Sequence, residues 1–247
     1  MDTTLKGKIA VITGGANGIG YATAQLFLTK GAKVAIWDID ETAGQQAVVN
    51  LKSAGEVRFY KVNTTQFNAV LQTTQQVVAD FGQIDILVNN AGITRDASMK
   101  KMSPQQWQQV LDVNLTGVFN CAKAVAPIMA QNKFGRILNA ASVVAHYGNF
   151  GQSNYVATKA GVIGMTKVWA REFGKKGITS NAVAPGFIQT EMVETIPANI
   201  IDDLVSKTPV ARMGRPEDIA HAYAFLASEA AGFINGAVLN VDGGIIF

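Results

Sequence analysis

The chain has 247 residues, 48% of them hydrophobic and 16% charged, with a formal net charge of +3. That length suits a single α/β domain over residues 1–247, and its Lys and Arg residues are scattered without the basic run expected of a nucleic-acid surface. A single cysteine, Cys121, excludes an intrachain disulfide, and no Cys/His cluster has metal-ligand spacing, so no metal site is expected.

The N-terminus MDTTLKGKIAVIT lacks the basic start and apolar core of a signal peptide. No apolar stretch looks both long enough and clean enough to span a bilayer, so a cytoplasmic protein without a membrane partner is expected. KIAVIT (Lys8–Thr13) reads as a buried strand, Gly18–Lys30 as a helix, KVAIW (Lys33–Trp37) as a strand and Glu41–Ser53 as a helix. VRFYKV (Val57–Val62) follows as strand, Gln66–Phe81 as helix and IDILV (Ile84–Val88) as strand. A long helix is predicted from Pro104 to about Asn132, then a fifth strand, GRILNAA (Gly135–Ala141), and a helix from Ser153 to near Gly174. ITSNAVA (Ile178–Ala184) is a strand, Pro216–Ser228 a helix with Pro in its first turn, and AVLNV (Ala237–Val241) the last strand. Apolar strands that alternate with helices predict a Rossmann-like, doubly wound parallel sheet of about seven strands, covered on both faces.

In such a sheet ligands bind beyond the carboxyl ends of the strands. The residues found there are Thr13-Gly14-Gly15-Ala16-Asn17-Gly18-Ile19-Gly20, then Asp38, Asn63, Asn89-Asn90-Ala91-Gly92, Ser142 and Pro185-Gly186. Loops favour such residues in any case, and glycine turns also serve packing. Their order, however, suits a dinucleotide: a glycine turn lets backbone N–H groups meet a pyrophosphate, and an acid eighteen positions after Gly20 can accept from a ribose. In SNYVATKAG, Tyr155 and Lys159 are four apart and share a helix face, a spacing also common on solvated helices.

Taken together, Thr13-Gly14-x-x-x-Gly18-x-Gly20, Asn89-Asn90-Ala91-Gly92, Asn114, Ser142, Tyr155-x-x-x-Lys159 and Pro185-Gly186 resemble the short-chain dehydrogenase/reductase family from Lys8 to Gly244. The resemblance implies a catalytic tetrad of Asn114, Ser142, Tyr155 and Lys159. Tyr155 would be the general acid for carbonyl reduction and the general base in reverse, its pKa lowered from about 10 by the ammonium together with the positively charged oxidised nicotinamide. Ser142 would hold the substrate oxygen, Lys159 the nicotinamide ribose, and Asn114 a proton-relaying water. Cofactor contacts are implied at Gly14, Asn17, Gly18, Ile19, Gly20, Asp38, Asn63, Thr64, Asn90, Ala91, Gly92, Tyr155, Lys159, Pro185, Gly186, Ile188 and Thr190.

Asp38 repels a 2′-phosphate and Asn17 is uncharged where NADP-preferring relatives often carry a basic residue, so NAD(H) is favoured over NADP(H), which is not excluded. Asn63 replaces the family's usual Asp, and its side-chain carbonyl is expected to accept from the adenine amino group. AGITRDASMKKMS, NFGQSNY and INGAVLNVDGG resemble the beta-ketoacyl-acyl-carrier-protein reductases and acetoacetyl-CoA reductases. That resemblance implies reduction of a 3-oxoacyl thioester, with Arg136 and Arg171 either meeting an acyl-carrier protein or CoA or lying on the surface. Many reductases of that branch use NADPH, so an NADH-linked dehydrogenase of a small alcohol, diketone, sugar or hydroxyacid remains an alternative, and a non-catalytic dinucleotide sensor a lesser one. Substrate contacts are expected from Thr94, Ser142, Val144, Tyr147, Gln152, Phe187 and a mobile-looking region, Gln189 to Lys207. The apolar composition points to an oligomer, and the family resemblance implies a homotetramer.

Overall fold

The computed structural model describes residues 3–190 and 198–245. Seven short strands supply the sheet: β1 (Ile9–Thr13), β2 (Lys33–Asp38), β3 (Val57–Lys61), β4 (Ile86–Asn89), β5 (Gly135–Ala140), β6 (Ile178–Pro185) and β7 (Val238–Val241). They pair in parallel throughout, in the order β3-β2-β1-β4-β5-β6-β7. The order reverses between β1 and β4, which leaves a crevice above their carboxyl ends.

Helices cover both faces, as strands with no polar side to offer water require. On one face α1 (Gly18–Thr29), α2 (Glu41–Leu51) and α9 (Pro216–Ala227) bury Phe27, Leu51 and Tyr223 against Ile12, Ile36, Val88 and Leu138. On the other, α3 (Phe67–Phe81), α5 (Gly117–Gln131) and α7 (Ser153–Phe173) bury Val70, Val125 and Trp169 against Val11, Trp37, Leu87 and Ile137. Local signals set the helix starts. Ser103 and Gln106 form a reciprocal capping box with Pro104 at the first position of α4 (Pro104–Leu111). Asp40 caps α2 by accepting from Ala43 N at 3.0 Å.

The long helix expected from Pro104 is continuous but not uniform. Residues Asp112–Thr116 form a π-helical turn between α4 and α5, where Gly117 N donates to Asp112 O. By length and hydropathy alone the run Pro104–Gln131 could cross a bilayer, its best 18-residue window having mean hydropathy 1.2, which corrects the sequence expectation. With 56% of that window buried within the fold, it is a core helix here. Two helices were not anticipated: α6 (Val144–Tyr147) and α8 (Ala198–Ser206). The second occupies part of the segment expected to be mobile; residues 191–197 of that segment lie outside the described residues.

One buried polar relay fixes α7 against the sheet. Asn89 Nδ2 donates to Asn139 Oδ1 at 2.8 Å, Asn139 Nδ2 to Thr166 Oγ1 at 2.9 Å, and Thr166 Oγ1 to Val162 O at 2.8 Å. All three side chains are buried, so each bond broken leaves a desolvated polar group. Asn139→Leu, close in volume, is expected to cost about 2–4 kcal/mol by stranding Asn89 and Thr166. A lowered urea midpoint with an unchanged m-value would show it.

Candidate active site

The carboxyl ends of the strands open into a cleft of about 750 Å³. At one end is the glycine turn. Gly14 has φ +62, and a Cβ on it would stand 2.9 Å from Ala91 Cα, so the turn after β1 and the loop after β4 touch backbone to backbone. Thr13 Oγ1 joins them, accepting from Asn90 N and Ala91 N at 3.0 Å each and donating to Val88 O at 3.3 Å. Asn90 Nδ2 donates to Thr13 O and Gly14 O. Gly20 does not line the cleft as expected. It lies behind the turn, where a Cβ would collide with Gly14 O and come within 2.7 Å of Asn90 Nδ2.

Asn17 precedes α1 in an extended conformation with no side-chain cap, and the first turn of α1 carries no acid. Its free N–H groups and positive dipole end therefore face the cleft ready for an anion. Asp38 Oδ2 accepts from Ala16 N at 3.2 Å and Oδ1 from Asp40 N at 3.2 Å, which holds the carboxylate at the rim of the same turn. A cradle closed to any side chain, an uncapped helix start and a fixed acid fit a dinucleotide. Asn63 lines the cleft but not in the expected role. Its Oδ1 already accepts from Thr65 N at 3.0 Å and Thr65 Oγ1 at 2.9 Å. A carbonyl oxygen has two lone pairs, so what Asn63 has left to offer is its NH₂ group, a donor.

At the other end stand Ser142, Tyr155 and Lys159. Tyr155 and Lys159 share a face of α7, with the ammonium 5.4 Å from the phenol ring centroid. Lys159 Nζ donates to Ala140 O, the last carbonyl of β5, at 2.7 Å. Two of its three N–H donors remain. Asn114 is fully buried behind the cleft in the π-helical turn, its Oδ1 accepting from Ile93 N at 2.8 Å and its Nδ2 donating to Ile93 O at 2.9 Å. It thereby pins the loop that carries Gly92, where a Cβ would lie 3.4 Å from Asn114 Oδ1 and 3.6 Å from Lys159 Nζ. A π-bulge at a functional site is a common device.

Burial acts on both titrating groups, and for the tyrosine it opposes the lowering expected from neighbouring positive charge. The Tyr155 phenol is pushed up to about 12, chiefly by burial, against a lowering hydrogen bond with Ser142; the Asp96 carboxylate adds to the rise. The Lys159 ammonium is lowered to about 8 by burial. A low-dielectric site disfavours phenolate and ammonium alike.

Of the other expected residues, Ile19, Thr64, Thr94, Val144, Gln152, Pro185, Gly186, Phe187, Ile188 and Thr190 all line the cleft. Tyr147 does not: it is 58% exposed on α6 and packs edge-on against His146. Arg136 is likewise misplaced for a carrier or CoA, buried near the amino end of β5, the far side of the sheet from the cleft, over the Phe134 ring. Arg171 is exposed on the last turn of α7, about 24 Å along the helix from Tyr155. Asp96 and Asn149 also line the cleft and went unrecognised in the sequence. Both sit in polar loops with nothing in their spacing to single them out.

A family described as Enoyl-(Acyl carrier protein) reductase matches residues 14–246. The chain is 45% identical over 243 residues to a Thermotoga maritima protein named 3-oxoacyl-(acyl-carrier-protein) reductase FabG, covering 98% of this chain and 99% of that one. A Chlamydia muridarum protein of the same name is 42% identical over 247 residues, 99% of this chain and all of that one. A Synechocystis protein named 3-oxoacyl-(acyl-carrier-protein) reductase is 44% identical over 247 residues, 99% of each. The chain therefore belongs to the short-chain dehydrogenase/reductase family of nicotinamide-dependent oxidoreductases that act on a carbonyl or alcohol.

Proposed function

We propose that this protein reduces a 3-oxoacyl thioester, carried on acyl-carrier protein or CoA, to the 3-hydroxyacyl form with NADH. The observation that carries the reading is the meeting of Ser142, Tyr155 and Lys159 at one end of a cleft whose other end is the glycine turn. The full-length relatives named for that substrate support it. Gly14, Gly18, Asn90 and the start of α1 hold the pyrophosphate, Asp38 the adenosine ribose and Lys159 the nicotinamide ribose. When bound, the nicotinamide supplies the hydride for the carbonyl carbon.

Ser142 Oγ and the Tyr155 hydroxyl converge on the carbonyl oxygen and stabilise the negative charge that develops there. Tyr155 donates its proton to that oxygen. A phenol raised to about 12 keeps its proton at neutral pH until the alkoxide forms, which suits the reductive direction. Asn114 orders the loop beside Lys159 and holds the water through which the tyrosine is reprotonated. Exposed Trp107 and Phe119 on α4 and α5 support assembly into a homotetramer through those helices. The acid at Asp38 also favours a second reading, an NADH-linked dehydrogenase of a small alcohol, diketone, sugar or hydroxyacid.

Assays with acetoacetyl-CoA, crotonyl-CoA and a panel of small ketones separate these readings: acetoacetyl-CoA should be reduced fastest, and no thioester turnover would leave the second reading. Tyr155→Phe should lower kcat at least about a thousandfold without comparable loss of NADH affinity, at the upper part of the range for a positioned acid. Asp38→Ser should raise the NADPH/NADH ratio of kcat/KM about tenfold or more. A wild-type enzyme that used NADPH as well as NADH would contradict the role given to Asp38.

Lys159 generates a prediction on stability as well. Its folded pKa of about 8 lies below the ordinary lysine value of 10.5, so the unfolded chain binds more protons between those values. Stability attributable to this group thus rises with pH from 8 to 10.5, and below 8 the full cost, about 3 kcal/mol, is present. Lys159→Met should abolish reduction yet raise the cofactor-free melting temperature at pH 7 by several degrees, a gain that fades towards pH 10.5. Reduction by the wild type should decline as pH rises through about 8, where the lysine loses its charge.

A further inference from the structure

We propose that Asp96 is a specificity-determining residue, a fixed negative charge at the substrate end of the cleft that rejects ketones carrying a carboxylate near the reacting carbonyl and admits neutral ones. The inference rests on reading the Ser142–Tyr155 end as the place of reduction. It narrows the substrate class to esters, thioesters and amides over free 3-oxo acids.

Gln152 Nε2 donates to Asp96 Oδ2 at 2.8 Å, and Gln152 Oε1 in turn accepts from Asn149 Nδ2 at 3.0 Å. Gln152 stands one helical turn before Tyr155, with Val156 N donating to Gln152 O at 2.8 Å, so the bond ties the carboxylate to the start of the helix that carries the phenol, and both residues line the cleft. The wall is also tied through its backbone. Ala97 N donates to Gly151 O at 2.9 Å, and the fully buried Asn154 donates from Nδ2 to Arg95 O at 3.0 Å. The charge is not neutralised: among the described residues no ion pair involves Asp96. Its neighbour Arg95 is turned aside, Nε donating to Gln109 Oε1 and Nη1 to Thr94 O. After burial, the Asp96 charge is a smaller contributor to the rise of the Tyr155 phenol.

A free 3-oxo acid bound with its ketone at Tyr155 brings its own carboxylate to this wall, where like charges repel in a partly desolvated cleft. A thioester or ester has no charge there, and the amide N–H groups of a carrier arm can donate to Asp96. Selection by repulsion of the wrong substrate is an economical route to specificity. Because Asp96 is exposed, the effect is screened by salt.

The test is kcat/KM for the matched pair ethyl acetoacetate and acetoacetate, at low and high salt, in the wild type, Asp96→Asn and Asp96→Glu. Asn keeps an acceptor for Gln152 and removes only the charge. The acetoacetate-to-ester ratio should rise about tenfold in Asp96→Asn, shrink back at high salt and stay low in Asp96→Glu. An unchanged ratio, or an equal fall for both ketones, would overturn the proposal. If the wild type reduces the ester but not acetoacetyl-CoA, the thioester reading fails while the ratio still reports on Asp96; turnover of neither ketone overturns both.

Discussion

A lysine ammonium taken almost entirely out of water is the constraint that organises this molecule. Lys159 is 3% exposed, and a cation so placed needs partners fixed in advance, because mobile dipoles would cost entropy to align. The first partner is the terminal carbonyl of β5, available because β5 ends there. The second is room: the loop after β4 passes with a glycine where a Cβ would already be in contact with the Nζ, at 3.6 Å. Asn114 then holds that loop by both ends of its amide, and it reaches the loop because the helix behind it slackens into a π turn. Each device would be a defect alone; together they keep one charged group desolvated in one place.

Holding Lys159 still requires holding α7 still. The relay from Asn89 through Asn139 to Thr166 crosses from β4 to β5 to the helix inside the core, so the catalytic face cannot rotate without stranding buried amides. Thr13 does the same at the switch point, where its hydroxyl binds two backbone N–H groups of the loop after β4 to the end of β1. The two ends of the cleft are thus built on β1 and β5, each hydrogen-bonded to β4 between them. Their spacing is set by the sheet and not by flexible loops, which is what proximity between two bound reactants demands.

Much of this was legible in the sequence because it is local. Strands such as IAVIT and ILVN are apolar up to their last residue, the glycine turn sits in consecutive residues, and Tyr155 and Lys159 are four apart on one helix. What was not legible depends on partners distant in the chain. The π turn at Asp112–Thr116 is sequence-silent, since its residues suit an ordinary helix. Asn63 was credited with a free carbonyl because nothing in the sequence shows that Thr65 turns back to occupy it twice. Arg136 read as a surface cation because its burial over Phe134 is a matter of which end of β5 it occupies. The desolvation of the tyrosine was not legible for the same reason: the lysine is visible as a neighbour, while the burial that raises the phenol belongs to the fold.

The cleft also separates two kinds of recognition. Within it the groups that meet ligand are hydrogen-bond donors and small residues, Ser142, Tyr155, Lys159 and the glycine turn, which attract negative charge or tolerate close approach. At its two rims stand carboxylates, Asp38 at the nucleotide end and Asp96 at the substrate end, each held by a hydrogen bond to its own wall. A cleft that attracts anions would otherwise take phosphates and free acids indiscriminately. Each acid bars an anion from the position next to it, and Asp96 also helps to raise the phenol of Tyr155. Catalysis and selectivity are thereby assigned to opposite charges, separated along one cleft by the strands that support it.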